Sequence, residues 1–215
     1  MITKILNKQN LTVIIFCLTG IIPIRIFAET QIDKQLSDYV SKAYPDCACE
    51  IAETVKGDLV GDDLSETAVF ISLDEGNQSK ILILKGVRSE KIVPIAISKS
   101  FENCQHGNEI SIDKKTLVIS CFHNGDGSID SFDEVKYAFR KGRLRLIGKD
   151  SALVNGASFT PELSRHDINE STNYLTGNVI TTKKWQTGKT THAVSKLTQK
   201  QMIPRYFEDF DSFYD

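Results

Sequence analysis

The stretch TAVFISL-DEGNQS-KILIL, residues 67–84, decides the fold class of this chain. Its outer parts, Thr67–Leu73 and Lys80–Leu84, are short runs rich in β-branched and aliphatic residues, which is typical of strands. The six residues between them are polar and include Gly76, which is typical of a turn. The pattern therefore predicts two neighbouring antiparallel strands.

A two-residue period recurs over most of the chain after Pro45. Hairpin turns are predicted at Asp113–Lys115 and Lys141–Arg143, and the polar segment 158–173 is predicted to be a loop. The further predicted strands are Lys91–Ile97, Ile110–Ile112, Thr116–Cys121, Val135–Arg140, Leu144–Ile147, Tyr174–Thr182 and Thr190–Leu197.

Residues 32–44 differ from the rest because their apolar residues recur at helical spacing, and Pro45 follows them. The apolar positions are Ile32, Leu36, Tyr39, Val40 and Ala43. We therefore expect an α+β, mostly β fold, in which an N-terminal helix packs on an antiparallel meander sheet.

The N-terminus has the pattern of an export signal. Lys4 and Lys8 precede an apolar run at residues 11–24, and the small residue Ala28 precedes a polar stretch. The apolar run is short for a membrane span. This pattern predicts a signal peptide at residues 1–28, a single globular domain at residues 29–215, and a periplasmic or secreted location. The alternative is an uncleaved N-terminal anchor.

Charge narrows the classes of partner. The chain has 26 basic and 28 acidic residues, and three of the basic ones lie within residues 1–28. The remainder is therefore acidic, which disfavours nucleic acid and anionic lipid surfaces as partners. It contains no second apolar stretch of membrane-spanning length. We expect no nucleic acid, no membrane contact after signal cleavage, and another protein as the partner.

Four cysteines follow the signal, and in an exported protein an even number indicates disulfides. Cys104 and Cys121 flank a predicted hairpin, so a local bridge between them is favoured. Cys47 and Cys49 are separated by one residue, which makes a bridge between them strained. A crossed pairing of each with one hairpin cysteine stays open.

The hairpin cysteines also belong to two Cys-x-His motifs, Cys104–His106 and Cys121–His123. A turn at Asp113–Lys115 pairs residues whose numbers sum to 228, which brings the four side chains close together. Two thiolates and two imidazoles could hold Zn²⁺. An oxidising compartment favours a disulfide instead.

The segment GDLVGDDLSE, residues 57–66, precedes the first of the two deciding strands. It resembles the calcium-binding loop of FG-GAP and related repeats, which offers oxygen ligands at alternate positions. The resemblance implies that Asp58, Asp62 and Glu66 are metal ligands and that calcium is the cofactor. The favoured interpretation from the residues is a polar turn that keeps this shape and binds no metal, so no cofactor is expected and calcium is the alternative.

A second acidic loop, NGDGSID at residues 124–130, is followed by Asp133 and Glu134. Its aspartate spacing suits Ca²⁺, but this sequence is also typical of a turn between strands. The turn is the favoured interpretation.

The last residues alternate acidic and aromatic side chains. Phe207, Phe210 and Tyr214 fall on one face of a helix, which predicts a terminal helix that docks on the sheet. The functional alternative is an exposed segment whose aromatic residues bind a partner.

Catalytic signatures are absent from the sequence, so no catalytic residue is assigned. His166 with Asp167, and His192, are the remaining candidates for acid–base chemistry. They keep a hydrolase as an alternative function.

The segment SFDEVKYAFRKGRLRLIGKD, residues 131–150, and residues 173–179 resemble parts of uncharacterised exported proteins of Gram-negative bacteria. The resemblance implies a periplasmic setting and supplies no activity. The sequence thus favours a non-enzymatic, disulfide-bonded, protein-binding role as an inhibitor or immunity-like protein, with calcium binding and hydrolysis as the alternatives.

Overall fold

The computed structural model describes residues 24–45, 48–73, 76–85, 92–105, 107–124, 129–155, 166–185 and 188–213. They form one α-helix and twelve strands in two antiparallel sheets. The expectation of a mostly β fold with antiparallel pairing and one helix is confirmed. Among these residues no helix combines the length and apolar character that a membrane span requires.

The helix α1 spans Ile24–Ala43, so it begins earlier than the predicted residue 32. The chain divides into two compact units, Met1–Tyr39 and Val40–Asp215, and the strands belong to the second unit. The strands of the first sheet are β1 (Glu50–Gly57), β2 (Glu66–Leu73), β3 (Gln78–Leu84), β4 (Pro94–Ile97) and β5 (Phe101–Glu102). Those of the second are β6 (Asn108–Asp113), β7 (Thr116–Asn124), β8 (Ile129–Arg140), β9 (Arg143–Asn155), β10 (His166–Asn173), β11 (Asn178–Trp185) and β12 (Thr190–Lys196).

The deciding stretch forms the centre of the first sheet. Strands β2 and β3 pair antiparallel from Thr67 opposite Leu84 to Leu73 opposite Gln78, as the sequence predicts. Strand β1 pairs with β2, while β4 and β5 each pair with a different part of β3. Strands β2 and β3 are buried along most of their length, because both are central in this sheet.

The second sheet is a seven-stranded meander in the order β12-β11-β10-β9-β8-β7-β6. The turn between β6 and β7 consists of Lys114 and Lys115, both with positive φ, which suits a tight two-residue hairpin. Paired residues therefore sum to 229, as in Asp113 opposite Thr116, and not to the predicted 228. The predicted three-residue turn is wrong by one residue.

The strands thus form two sheets where one was predicted, and the two sheets share a core. The amide N of Ile110 in β6 lies 3.4 Å from a carboxylate oxygen of Glu53 in β1. A Cβ on Gly57 of β1 would lie only 2.7 Å from Cγ2 of Ile112 in β6. These close approaches join the two sheets at one side of the core.

Apolar side chains from both sheets fill this core. Every second residue of the central strands points into it, which reflects the two-residue period of the sequence. The first sheet and its adjoining loops contribute Leu59, Ala68, Phe70, Ile81, Ile83, Phe101 and Cys104. The second contributes Ile110, Leu117, Ile119, Cys121, Val135, Tyr137, Leu144 and Leu146.

The C-terminal segment completes the core. Phe207, Phe210 and Phe213 are buried, and the ring of Phe207 packs edge-on against Tyr137 with centroids 5.5 Å apart. A single 3₁₀ turn, Phe207–Asp209, replaces the predicted terminal helix. The core buries Phe207 and Phe210, as expected of a docked segment, so the alternative in which they are exposed partner-binding anchors is wrong. Tyr214 lies outside the described residues.

Candidate functional site

Strand β12 forms an open edge of the second sheet. It pairs with β11 on one side, and no described residue pairs with its other side. All seven of its residues are exposed. Its sequence, TTHAVSK, contains no proline, and its pairing with β11 continues without a bulge. Natural edge strands commonly carry a proline or a bulge, because either one hinders pairing with another strand. Strand β12 has neither.

The hydrogen-bond pattern identifies the groups that this edge presents. The amide of Trp185 donates to the carbonyl of Lys189 at 2.9 Å, and that of Leu197 donates to the carbonyl of Gly177 at 2.8 Å. Hydrogen-bonded pairs alternate along an antiparallel ladder, so the odd-numbered residues of β12 bond to β11. The even-numbered residues therefore direct their N–H and C=O groups away from the sheet: Thr190, His192, Val194 and Lys196.

An apolar pair lies beside these groups. Val194 is 69% exposed and stands opposite Ile180 of β11, which is 44% exposed. Residues that face each other across a strand pair lie on the same face of the sheet. The edge therefore combines backbone groups that pair with no described strand and a small exposed apolar surface.

Positive charge is concentrated in residues 171–207, which precede the acidic C-terminus. Between Glu170 and Glu208 the sequence contains no acidic residue. The cations that form ion pairs among the described residues are Lys99, Lys115, Lys136, Arg143 and Lys149. The lysines around β11 and β12 form no ion pair with described residues: Lys183, Lys184, Lys189, Lys196 and Lys200. We call these five residues the lysine group.

The predicted calcium ligands come together. One carboxylate oxygen each of Asp58, Asp62 and Glu66 lies within 4.8 Å of the other two. The loop turns at Gly61 and Asp63, both of which have positive φ. The convergence of the three acidic side chains, predicted from their spacing in the sequence, is therefore confirmed.

The same carboxylates also support the loop itself. Glu66 is fully buried, and its Oε2 accepts hydrogen bonds from the amides of Leu59 at 2.8 Å and Val60 at 3.0 Å. Asp58 accepts a bond from the amide of Gly61 at 2.6 Å and lies 3.7 Å from the Lys115 ammonium group. These contacts fit a structural role for the loop as well as a metal site.

Replacing Glu66 with alanine should lower the free energy of unfolding by about 2–4 kcal/mol, because the amides of Leu59 and Val60 lose their acceptor. Glu66→Gln keeps an acceptor oxygen and should cost less than half as much. Urea unfolding measures both losses. A loss below about 0.5 kcal/mol for Glu66→Ala would contradict the structural role, since such changes are usual only at unconstrained surface positions.

The hairpin cysteines form a disulfide. Cys104 and Cys121 are bridged, with their Cα atoms 5.6 Å apart, and both are buried. This is the local pairing, and it excludes the crossed one. Cys49 is disulfide-bonded as well, whereas Cys47 lies outside the described residues.

The bridge also bears on the Zn²⁺ alternative. His123 Nε2 lies 2.9 Å from the sulfur of Cys121, so one histidine does lie beside the pair. Both sulfurs are held in the disulfide, which leaves no thiolate for Zn²⁺ in this state. His106 lies outside the described residues.

The acidic side chains after the second loop are engaged in contacts within the sheet. Asp133 is buried, accepts a hydrogen bond from Ser151 and lies 3.8 Å from the Lys149 ammonium group. Glu134 lies 2.8 Å from the Lys136 ammonium group. Residues 125–128 of the loop lie outside the described residues.

Among the described side chains, His192 has no acidic hydrogen-bond partner. His192 Nδ1 lies 3.0 Å from the hydroxyl of Thr182; His192 is exposed and Thr182 is half-buried. Asp167 is half-buried and stands opposite Lys184, whereas His192 stands opposite Thr182. The side chain of His166 lies outside the described residues.

A cavity of about 330 Å³ lies beneath the C-terminal segment, and Tyr137, Tyr174 and Arg205 contribute to its wall. Burial raises the pKa of the Tyr137 hydroxyl above its ordinary value, with Arg205 acting in the opposite direction. Burial likewise raises the pKa of Tyr174. Both phenols therefore stay neutral at physiological pH.

Comparison with known proteins adds no assignment: no family model, no curated protein and no solved structure matches this chain. The open edge and the lysine group were missed in the sequence. The gap in acidic residues between Glu170 and Glu208 is the signal that could have found the charge. The net charge of the whole chain is negative, so it does not reveal this local excess of lysine.

Proposed function

We propose that this protein is exported to the periplasm or secreted and binds another protein without catalysing a reaction, as an inhibitor or immunity-like partner. The signal peptide predicted at residues 1–28 supports the location. The expected packing of α1 on the sheet and the likeness to exported Gram-negative proteins belong to the same proposal.

The open edge of β12 is the observation that carries the proposal. A partner strand that pairs with Thr190, His192, Val194 and Lys196 would satisfy their outward backbone groups. Strand addition at a sheet edge is a common mode of protein recognition, in which main-chain hydrogen bonds supply affinity. The exposed pair of Val194 and Ile180 offers an apolar contact on one face.

Site-specific photo-crosslinking tests this proposal. A photo-reactive amino acid at position 194 should give one discrete adduct in extract of the source cells, and the same probe at exposed Val60 serves as the control. Excess unlabelled protein should compete the adduct away.

The competitor Val194→Pro should fail to compete. Proline removes the outward N–H of residue 194 but leaves the hydrogen bonds between β12 and β11, so the sheet is kept. An adduct of equal strength at positions 60 and 194, equal competition by the proline variant, or no adduct would contradict the proposal.

Calcium binding is the second candidate function, and the convergence of Asp58, Asp62 and Glu66 favours it. Oxygen-rich loops of this kind take Ca²⁺, with affinities down to the millimolar range in extracellular modules. Binding to the folded state alone would raise its stability.

Calcium at about 5 mM should raise the melting temperature by about 3 °C or more if the dissociation constant is about 0.5 mM. Asp62→Asn should abolish the shift, because it removes a charged ligand from an exposed position. Magnesium at equal concentration controls for ionic strength. An unchanged melting temperature, or an equal shift in Asp62→Asn, would contradict calcium binding.

A further inference from the structure

We propose that the segment recognised by β12 is an extended, acidic stretch of another protein. This inference rests on the proposed function and adds the chemistry of the partner. The lysine group supplies the charge, and the outward backbone groups of β12 supply the geometry.

Four members of the lysine group lie on or beside the edge, two on each face of the sheet. Lys189 directly precedes β12 and Lys196 ends it, and the two side chains lie on opposite faces. Lys183 and Lys184 lie on the neighbouring strand, again one on each face. A strand added to β12 would lie roughly 4.8 Å from it, so acidic side chains on either face would come within reach of these ammonium groups.

Two of these lysines contact uncharged groups within the chain. Lys189 lies over the ring of Trp185, with its ammonium group 5.7 Å from the ring centre, and Lys196 bonds to the side-chain oxygen of Asn178. Neither contact neutralises the charge. Asp167 of β10 stands opposite Lys184, but none of the five lysines forms an ion pair with a described residue. Opposite charges on a partner would therefore gain electrostatic energy without first breaking such a pair.

The centre of the edge has a different character. From Thr190 to Ser195 β12 carries no acidic or lysine side chain. Val194 and Ile180 form the exposed apolar pair on one face. A fitting partner segment therefore alternates acidic residues with β-branched ones, so that an apolar side chain can pack beside Val194.

A second copy of this chain fits less well. In an antiparallel pair of two β12 edges centred on Ala193, residue 196 of one copy faces residue 190 of the other. Such a pair would bring the lysine groups of both copies together, and β12 contributes no acidic side chain that could neutralise them. Like charges brought this close repel each other. Charge thus selects an acidic segment over self-association.

Fluorescence anisotropy with two synthetic peptides tests the inference on the full chain. The first is labelled Glu-Val-Glu-Val-Thr-Val-Glu with blocked ends, and the second carries lysine at each glutamate position. The acidic peptide should bind at least about tenfold more tightly than the basic one, and its affinity should fall as salt rises from about 50 to 300 mM.

Two variants with the same change in charge separate this surface from the rest. The double variant Lys189→Glu with Lys196→Glu should weaken acidic-peptide binding at least about tenfold. The control, Lys56→Glu with Lys114→Glu, changes exposed lysines outside the lysine group and should bind as the unmodified chain does. Val194→Pro should weaken binding of the acidic peptide as well, and thermal unfolding verifies that each variant is folded.

Equal binding of the two peptides, or equal effects of the two charge variants, would overturn the acidic partner. So would no binding of the acidic peptide up to about millimolar concentration, or a dimer in light scattering that Val194→Pro disrupts. The crosslinking experiment at position 194 decides the proposed function separately, because it does not depend on the charge of the partner.

Discussion

Replacing Phe207 with alanine should lower the free energy of unfolding by about 3–5 kcal/mol, the largest loss expected from a single substitution here. Phe207 is 0% exposed, and its ring packs against Tyr137. Its ring joins the C-terminal segment to the second sheet, so removing the ring leaves a cavity in the core. Denaturant unfolding measures the loss.

The exposed Leu175 provides the control for this substitution. Its side chain is 45% exposed, so Leu175→Ala should change the stability by less than about 0.5 kcal/mol. If Phe207→Ala has an equally small effect, the C-terminal segment does not form part of the core. In that case the exposed, partner-binding interpretation of the aromatic residues would return.

Removing the hairpin disulfide by Cys104→Ala with Cys121→Ala should cost about 3 kcal/mol. The bridge spans 17 residues, and a loop of this length restricts the unfolded chain by about that amount in the chain-entropy model. For a chain of this size the melting temperature should fall by about 6–12 °C. Differential scanning calorimetry without reductant measures the change.

Ser111→Ala, an exposed position on the same hairpin, is the matched control and should leave the melting temperature unchanged. A double-alanine variant that melts at the same temperature as the unmodified chain would contradict a stabilising bridge. Added reductant would confuse the comparison, because Cys49 is also disulfide-bonded.

The strands that line the core could be predicted from the sequence. Strands β2 and β3 are predicted correctly, because both are buried in the core and therefore consist of short runs of apolar residues. Strand β10, HDINESTN, was predicted as part of a loop, since few of its residues are buried. Its pairing with β9 and β11 supplies the backbone bonds that make it a strand.

The division into two sheets and the role of the C-terminus were harder to foresee. Strand β1 alternates only between exposed and half-buried residues, so its pattern is weak. The spacing of Phe207 and Phe210 suits one helical face, yet a single 3₁₀ turn followed by extended chain buries both rings. Tertiary packing decides the local conformation there.

Of the two candidate sites, the acidic loop could be predicted from local sequence, whereas the open edge could not. The spacing of Asp58, Asp62 and Glu66 predicts their convergence correctly, because all three belong to one short loop. The edge of β12 depends on which strand ends the sheet, and this is a property of the topology. No local pattern in TTHAVSK distinguishes an edge strand from a central one.

Amide hydrogen exchange along β12 tests the central claim most directly. In the free protein the N–H of Val194 should exchange nearly as fast as in an unstructured chain, while that of Ala193 is protected by its bond to β11. On addition of the acidic peptide, Val194 should become protected as well. Slow exchange of Val194 in the free protein, or exchange that the peptide leaves unchanged, would contradict strand addition at this edge.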